Sequence, residues 1–188
     1  MKTIRLWLVR HLPPDVAPGV CYGQTDLLLQ TPISQQPDAV SVMRAQLPIA
    51  VPLFSSPLLR CAEMAAMLDA AYVQDNRLQE LNFGAWEMQS WDDIGAQALD
   101  AWANDLAGFC PPDGETGYEL QQRALAWLRE ISHLHDEVIV VTHAGVMRVL
   151  QAHHQALPGS KWLDLRYDYG QVLCLEFTAE QIGAAPVQ

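Results

Sequence analysis

The sequence predicts an α/β sandwich whose sheet is largely parallel. Short apolar segments, typical of buried strands, alternate along the chain with helical segments. In two of these segments, residues 3–9 (TIRLWLV) and 137–143 (EVIVVTH), apolar residues crowd both faces, as they do in parallel sheets that are covered on both sides. The 188 residues show neither an internal repeat nor a linker, so we expect a single domain over residues 1–188.

Between these two strands the sequence predicts loops, helices and two further strands. The predicted segments are a loop at 19–32, a helix at 38–47, a strand at 51–55, a helix at 58–71, a strand at 72–78, a packed loop from residue 79 and a less regular helix at 91–107. We expect Ser56 to cap the helix at 58–71 and Pro57 to begin it. A serine side chain accepts from the free amides of a first turn, and proline has no amide hydrogen to leave unpaired.

The last third of the chain begins with the clearest helix. Thr116 and Glu119 form a capping box, in which each side chain satisfies a free amide of the other residue. This box opens a helix that we expect to end near residue 134. A strand at 137–143, a helix at 144–157 and a final strand at 171–177 complete the predicted elements.

The charge balance is strongly acidic, with 22 aspartates and glutamates against 11 lysines and arginines and a formal net charge of −11. It argues against nucleic acid and anionic membranes as partners, because both require a basic surface. The sequence has no N-terminal signal pattern and no apolar run that could span a bilayer, so we expect a cytoplasmic protein. The four cysteines form no Cys-x-x-Cys pair and indicate neither a zinc ribbon nor a redox motif.

Cationic and imidazole side chains follow three of the predicted strands. Arg10 and His11 end the first strand, Arg60 lies one helical turn after the second, and His143 ends the third. The carboxyl ends of parallel strands meet at the edge of the sheet where ligands bind, so we expect these four side chains to gather there. Two of the strand ends lead into helix N-termini, which favour anions. Arginine matches the oxygens of a phosphate, so the pattern predicts a phosphate site.

A histidine in such a site can act as the nucleophile that attacks phosphorus. One ring nitrogen of His11 must then be free, so the other should donate to a carbonyl, and Arg10 should help to keep the ring neutral by like-charge repulsion. A carboxylic acid is also needed to protonate the departing alkoxide. Glu80 is the favoured candidate and Glu87 the competitor. The arginines and His143 would stabilise the phosphoryl oxygens without a metal ion.

Four blocks of the sequence, in this order, resemble the motifs of the histidine phosphatases, the superfamily of phosphoglycerate mutase and acid phosphatase. They are "LVRHLPP", "SSPLLRCAEMA", "LQELNFGAWE" and "VVTHAGVMR". The loop "GVCYGQTDLLL" and the short chain look most like the alpha-ribazole phosphatase branch, which serves cobalamin synthesis. The resemblance covers roughly residues 3–150, and four ordered blocks are far more specific than one motif.

The resemblance implies a phosphoglycerate mutase-like, three-layer fold with helices on both faces of the sheet. It also implies a phosphomonoester hydrolase that acts on a small phosphorylated metabolite through a phosphohistidine, without metal or cofactor. The implied roles are His11 as nucleophile, Arg10, Arg60 and His143 as the rest of the phosphate pocket, Glu80 as proton donor, and Gly23 and Gln24 as substrate-binding residues. A phosphoglycerate-type mutase and a non-catalytic phospholigand-binding module are the alternatives, and oligomeric state, a homodimer included, stays open.

Three positions depart from the family pattern. Leu12 stands where the family has glycine, and we expect it to narrow the space beside the phosphate. Ala144 replaces the first of two glycines after the second histidine, and Met88 replaces a glycine after Trp86-Glu87. The threonine and asparagine that mutases carry after their Arg-His are also missing, which disfavours the mutase alternative.

Two further sets of residues have open roles. Glu115 is either a substrate-loop residue or part of the local structure beside the capping box. Tryptophans 86, 91, 102 and 127 are expected in the core, with Trp86 and Trp91 as the two that could instead stack on a ligand because they follow Glu80 closely.

Overall fold

A five-stranded sheet organises the protein, which we describe from a computed structural model over residues 2–185. The strands are β1 (Thr3–Arg10), β2 (Leu53–Ser55), β3 (Val73–Gln74), β4 (Glu137–Thr142) and β5 (Val172–Thr178). Their order in the sheet is β3-β2-β4-β1-β5. The first four pair in parallel and β5 runs antiparallel to β1. The largely parallel sheet is confirmed, and the antiparallel edge strand is an addition to the prediction.

Seven α-helices accompany these strands within residues 2–185. They are α1 (Pro37–Arg44), α2 (Leu59–Leu68), α3 (Trp91–Ile94), α4 (Ala96–Asn104), α5 (Gly117–Leu134), α6 (Ala144–His154) and α7 (Ala179–Gly183). The predicted capping box of α5 is confirmed, because the Thr116 hydroxyl accepts from the Glu119 N–H at 3.1 Å and the Glu119 carboxylate accepts from the Thr116 N–H at 2.7 Å. Over the same range, none of the helices combines the length and apolar character that a membrane crossing requires.

The sheet lies between two layers of helices. Leu6 and Leu8 of β1 are buried in one core together with α5 and α6. Val9 of β1 and Val141 of β4 are buried in a second core with α1 and α2. Successive side chains of a strand point to opposite faces, so both faces of the sheet are covered. The three-layer sandwich with helices on both faces is confirmed.

Two predicted elements are shorter than expected. The strand at 72–78 is reduced to Val73–Gln74, and a turn of 3-10 helix follows at Asn76–Leu78. The helix at 91–107 is two helices, α3 and α4, because Gly95 between them adopts a φ of 88°, a left-handed conformation that interrupts a helix. Two further elements, the 3-10 helix Gly159–Asp164 and α7, were not predicted.

The predicted cap of α2 is wrong. The helix begins at Leu59, and the Leu59 N–H donates to Asp26 Oδ1 at 2.7 Å, so a side chain from the loop at 19–32 caps it. The Ser56 hydroxyl instead accepts from the Leu58 N–H at 3.3 Å. Since Ser56 lies outside the helix, its hydroxyl can also contact His143 at the end of the neighbouring strand.

Candidate active site

The carboxyl ends of β1, β2 and β4 bring the predicted residues together. The His11 N–H donates to the Thr142 carbonyl at 3.0 Å, which joins the ends of β1 and β4. The rings of His11 and His143 lie 5.1 Å apart, measured between centroids, in an edge-on arrangement. His143 Nε2 lies 2.8 Å from Ser56 Oγ at the end of β2. The predicted gathering of these strand ends is therefore what the fold produces.

His11 is buried, with 1% of its surface exposed, and its ring is set in one tautomer. Nδ1 lies 2.7 Å from the Leu12 carbonyl oxygen. A carbonyl can only accept, so Nδ1 carries the hydrogen and Nε2 of the neutral ring keeps a free lone pair. Burial lowers the pKa of His11 to about 3, with the charge of Arg60 as the second cause and that of Arg10 as a smaller one. Repulsion by Arg10 thus lowers the pKa of His11 as expected, but burial lowers it more.

His143 is also fully buried and neutral. Burial lowers its pKa well below the ordinary value, and the charge of Arg60 acts in the same direction. Besides Ser56, its ring contacts Cys61, whose Sγ lies 3.5 Å from Nε2. A neutral imidazole in this position can hydrogen-bond a phosphoryl oxygen without adding charge to the pocket.

The two arginines each present a donor without a partner. Arg60 is fully buried, and its terminal nitrogens donate to the carbonyls of Gly23 at 2.6 Å and Thr25 at 2.8 Å. Arg10 donates from a terminal nitrogen to the Tyr167 carbonyl at 2.6 Å. The Nε atoms of both arginines are buried without a hydrogen-bond partner. Buried cationic donors are costly when unsatisfied, and an anion is the group that satisfies them best.

Two tyrosines that the sequence analysis missed cover these arginines. The Tyr169 ring centroid lies 3.8 Å from Arg10 Cζ and 5.6 Å from the centroid of the His11 ring. The Tyr22 ring centroid lies 5.2 Å from Arg60 Cζ, and the two tyrosine hydroxyls are 3.0 Å apart. Tyr22 lies in the loop GVCYGQTDLLL, but nothing in the sequence pairs it with Tyr169, because the two residues are 147 positions apart and meet only in the fold.

Glu80 lies against the first turn of α6, the helix that directly follows His143. Its carboxylate accepts from the Leu81 N–H at 2.9 Å and from the Gly145 N–H at 3.1 Å. A Cβ atom at position 145 would overlap Glu80 Oε1, so glycine is required there for Glu80 to approach. Ala144, which replaces the first glycine of the family pair, leaves this approach intact.

Three amides at the starts of α2 and α6, where the helix N-termini were expected to favour an anion, donate to protein oxygens. Leu58 and Leu59 donate to Ser56 and Asp26, and Gly145 donates to Glu80. The Nε atoms of Arg10 and Arg60, in contrast, have no partner and remain available to an anion.

Glu87, the competitor for the acid role, accepts hydrogen bonds from the loop at 19–32 and from the turn that precedes it. It accepts from the Gln24 N–H at 2.8 Å, the Phe83 N–H at 3.1 Å and the Thr25 hydroxyl at 2.5 Å. Three donors thus hold the Glu87 carboxylate in place. These contacts favour a structural role for Glu87.

Gly23 and Gln24 make contacts within the protein. The Gly23 carbonyl accepts a hydrogen bond from Arg60. Gly23 has a φ of 36°, which favours glycine, and a Cβ atom at this position would overlap Glu87. The Gln24 side chain donates to the Glu80 carbonyl at 2.9 Å. Both residues thus support the site residues directly, and their substrate-binding role stays a prediction.

Glu115 belongs to a structural ion pair. It accepts from Arg123 at 2.6 Å and from the Asn82 N–H at 2.9 Å. Arg123 also donates to the carbonyls of Gln79 at 2.7 Å and Glu80 at 2.8 Å. The pair therefore fixes the segment that carries Glu80. Sequence reasoning missed Arg123 because the carbonyls that it holds lie more than forty residues away.

The other departures from the family pattern have separate consequences. Leu12 is buried in the core on the α1 and α2 side of the sheet. Met88 adopts a φ of 64°, the left-handed region that favours glycine. A glycine at this position, as in the family pattern, would therefore relieve local backbone strain.

A cavity of about 200 Å³ opens beside Glu80. Trp91 and Trp102, both half-buried, line it. Trp86 and Trp127 are buried in contrast, so Trp86 is core rather than a stacking surface. Trp102 packs against the core but is only partly buried and also lines the cavity. Among residues 2–185, no group of three or more His, Cys, Asp or Glu side chains is placed to hold a metal ion.

The chain is similar to known proteins along nearly its whole length. A family model of the histidine phosphatase superfamily (branch 1) matches residues 6–185. The adenosylcobalamin/alpha-ribazole phosphatase of Escherichia coli (strain K12) is 29% identical over 184 residues, which cover 89% of this chain and 87% of the relative.

Solved structures resemble the fold as well. A mycobacterial glucosyl-3-phosphoglycerate phosphatase aligns with a TM-score of 0.81 at 24% identity, over 93% of this chain and 90% of the other. A protein of Thermus thermophilus aligns with a TM-score of 0.74 at 28% identity, over 92% of this chain and 93% of the other. The likeness in structure thus extends over the same part of the chain as the family match.

Proposed function

Since this chain belongs to the histidine phosphatase superfamily and is a phosphatase, we propose that it hydrolyses alpha-ribazole 5'-phosphate through a phosphohistidine on His11. The observation that carries the mechanism is the buried, neutral His11 with a free Nε2, held beside two arginines whose Nε donors lack partners. The choice of substrate rests on the relative that is named adenosylcobalamin/alpha-ribazole phosphatase.

In the first half of the reaction, the lone pair of His11 Nε2 attacks phosphorus. The bond between phosphorus and the alcohol oxygen breaks, its electron pair stays on that oxygen, and the protonated Glu80 carboxyl supplies the proton. Arg10, Arg60 and His143 stabilise the charge on the three phosphoryl oxygens. Loss of one such donor is expected to lower turnover by about two to three orders of magnitude.

In the second half, water enters where the alcohol has left. The Glu80 carboxylate takes a proton from this water, and the water oxygen attacks phosphorus. The bond between phosphorus and His11 Nε2 breaks, its electron pair returns to the nitrogen, and phosphate is released. The Leu12 carbonyl keeps the proton on Nδ1 in both halves, so Nε2 can act as nucleophile and leaving group.

The test is to trap the intermediate with alpha-ribazole 5'-phosphate labelled in its phosphate. Rapid mixing and quenching should leave the label on the peptide that contains His11, and His11→Ala should abolish both label and phosphate release. Turnover should persist with a chelator, since arginines neutralise the phosphoryl charge. Hydrolysis without a labelled His11 peptide, or interconversion of phosphoglycerates faster than phosphate release, would contradict the proposal.

A further inference from the structure

We propose that the cavity beside Glu80 binds the alcohol part of the substrate and selects alcohols that carry a flat, apolar ring. This inference rests on the proposed function, because it places the departing alcohol oxygen next to Glu80. It adds two specificity-determining residues to the site, Trp102 and Arg148, which no part of the catalytic proposal uses.

The walls of the cavity are mostly apolar, and four of its twelve lining residues are aromatic. Its apolar lining residues include Phe83, Trp91, Trp102, Leu106, Leu120 and Trp162. The rings of Trp91 and Trp102 are stacked at an interplanar angle of 14°, with centroids 6.0 Å apart, and Phe83 meets both of them edge-on. Flat apolar walls of this kind suit a planar ring, which can stack on or pack edge-on against them.

Arg148 is the cationic side chain of this lining. Its Nε donates to the Leu165 carbonyl at 3.3 Å, and within residues 2–185 no carboxylate forms an ion pair with it. Burial lowers the pKa of Arg148, although the charge of Glu80 opposes this effect. A guanidinium has five N–H donors, and within residues 2–185 one of those of Arg148 has a partner, so we expect the others to bind hydroxyl or ether oxygens of a ligand.

The position of Glu80 connects this cavity to the chemistry. Glu80 and Gly145 both line it, and Gly145 is two residues from His143. An alcohol that receives its proton from Glu80 must begin at this carboxylate. A second groove runs along Pro13, Pro14 and Pro18 to Tyr22 and Tyr169, but no charged side chain lines it. The cavity lined by Glu80 and Arg148 is therefore the better site for a ring joined to a sugar.

The experiment compares two esters in paired variants. Trp102→Leu and Arg148→Met are tested beside Phe109→Leu, which changes a ring packed on Trp86, and Arg166→Met, which changes an exposed arginine. With alpha-ribazole 5'-phosphate, kcat/KM should fall about tenfold or more in the first pair, as expected for a lost charged hydrogen bond or ring contact. With ethyl phosphate, which has no ring, all four variants should stay within about threefold of the parent protein.

Equal losses for both esters, or no loss for either, would overturn the inference. Arg148 acting only on Glu80 would give equal losses, so this result separates a positioning role from a binding role. Trp102→Leu must also unfold at a temperature close to that of the parent protein, and Arg148→Met provides the independent test if it does not.

A binding measurement separates this inference from the proposed function. Calorimetric titration with alpha-ribazole, which carries no phosphate, should show a dissociation constant about tenfold higher in Trp102→Leu and Arg148→Met. His11→Ala should bind it within about twofold of the parent protein, although it loses turnover. Binding unchanged in the cavity variants overturns the inference, whereas turnover retained in His11→Ala overturns the proposed function alone.

Discussion

The Glu80 carboxylate fills the space that a side chain at position 145 would need. It accepts a hydrogen bond from the Gly145 N–H at 3.1 Å, and a Cβ atom at 145 would overlap its Oε1. The absence of a side chain at one position of α6 therefore sets the place of the proposed acid.

Gly145→Ala should displace Glu80 and lower kcat for an unactivated ester by about tenfold or more, within the range that general acids contribute. The steady-state rate with alpha-ribazole 5'-phosphate measures this effect. Ala144→Gly, which restores the family pattern one residue earlier, is the matched control and should change the rate little. Full activity in Gly145→Ala would show that the contact with Gly145 does not position the acid.

Glu80→Gln should slow esters with poor leaving groups most, because only these need a proton at the leaving oxygen. The comparison is ethyl phosphate against p-nitrophenyl phosphate, with kcat measured for both. Glu87→Gln is the control, since its carboxylate holds the loop through Gln24 and Thr25, and it should lower the unfolding temperature without this dependence on leaving group. Equal slowing of both esters by Glu80→Gln would move the acid role elsewhere.

The buried histidines should make the protein less stable in mild acid. Burial lowers the pKa of His11 to about 3, so between this value and the ordinary 6.5 the unfolded chain binds a proton that the folded chain does not. The free energy of unfolding should therefore fall by about 2 kcal/mol between pH 7 and pH 5 from His11 alone. His143, whose pKa is also lowered, acts in the same direction.

Urea unfolding at several pH values tests this linkage. His11→Gln keeps a donor for the Leu12 carbonyl but cannot titrate, so its stability should fall less steeply with acid than that of the parent protein. Parallel curves for the two proteins would mean that His11 takes up a proton as readily in the fold as in the unfolded chain.

Met88→Gly should stabilise the protein by about 0.5–1 kcal/mol, because a non-glycine residue in the left-handed region is strained. The side chain itself is 52% exposed, so little packing is lost. Thermal or urea unfolding measures the change, and Met88→Ala, which keeps the strained φ, should give no gain. A gain in the alanine variant as well would assign the effect to the side chain rather than to the backbone.

Local patterns were enough to predict the residues that end the strands. Arg10, His11 and His143 follow directly from apolar runs, and parallel pairing brings such ends to one edge. The phosphoglycerate mutase-like sandwich was likewise predicted from the four motif blocks. In these cases the information lies within a few neighbouring residues.

Other parts of the site depend on contacts between distant segments. Arg123 acts through carbonyls more than forty residues away, and Tyr22 meets a tyrosine from the opposite end of the chain. Trp102 meets Phe83 and Trp91, which precede the break at Gly95, and lines the cavity with them. Such pairings leave no periodic signal in the sequence.

The contact between Tyr22 and Tyr169 has a consequence for the order of events in turnover. With these hydroxyls 3.0 Å apart and His11 only 1% exposed, an incoming ester cannot touch the imidazole in this arrangement. The proposed attack of His11 on phosphorus therefore requires the two tyrosines to separate before the ester reaches the imidazole, and again before inorganic phosphate leaves.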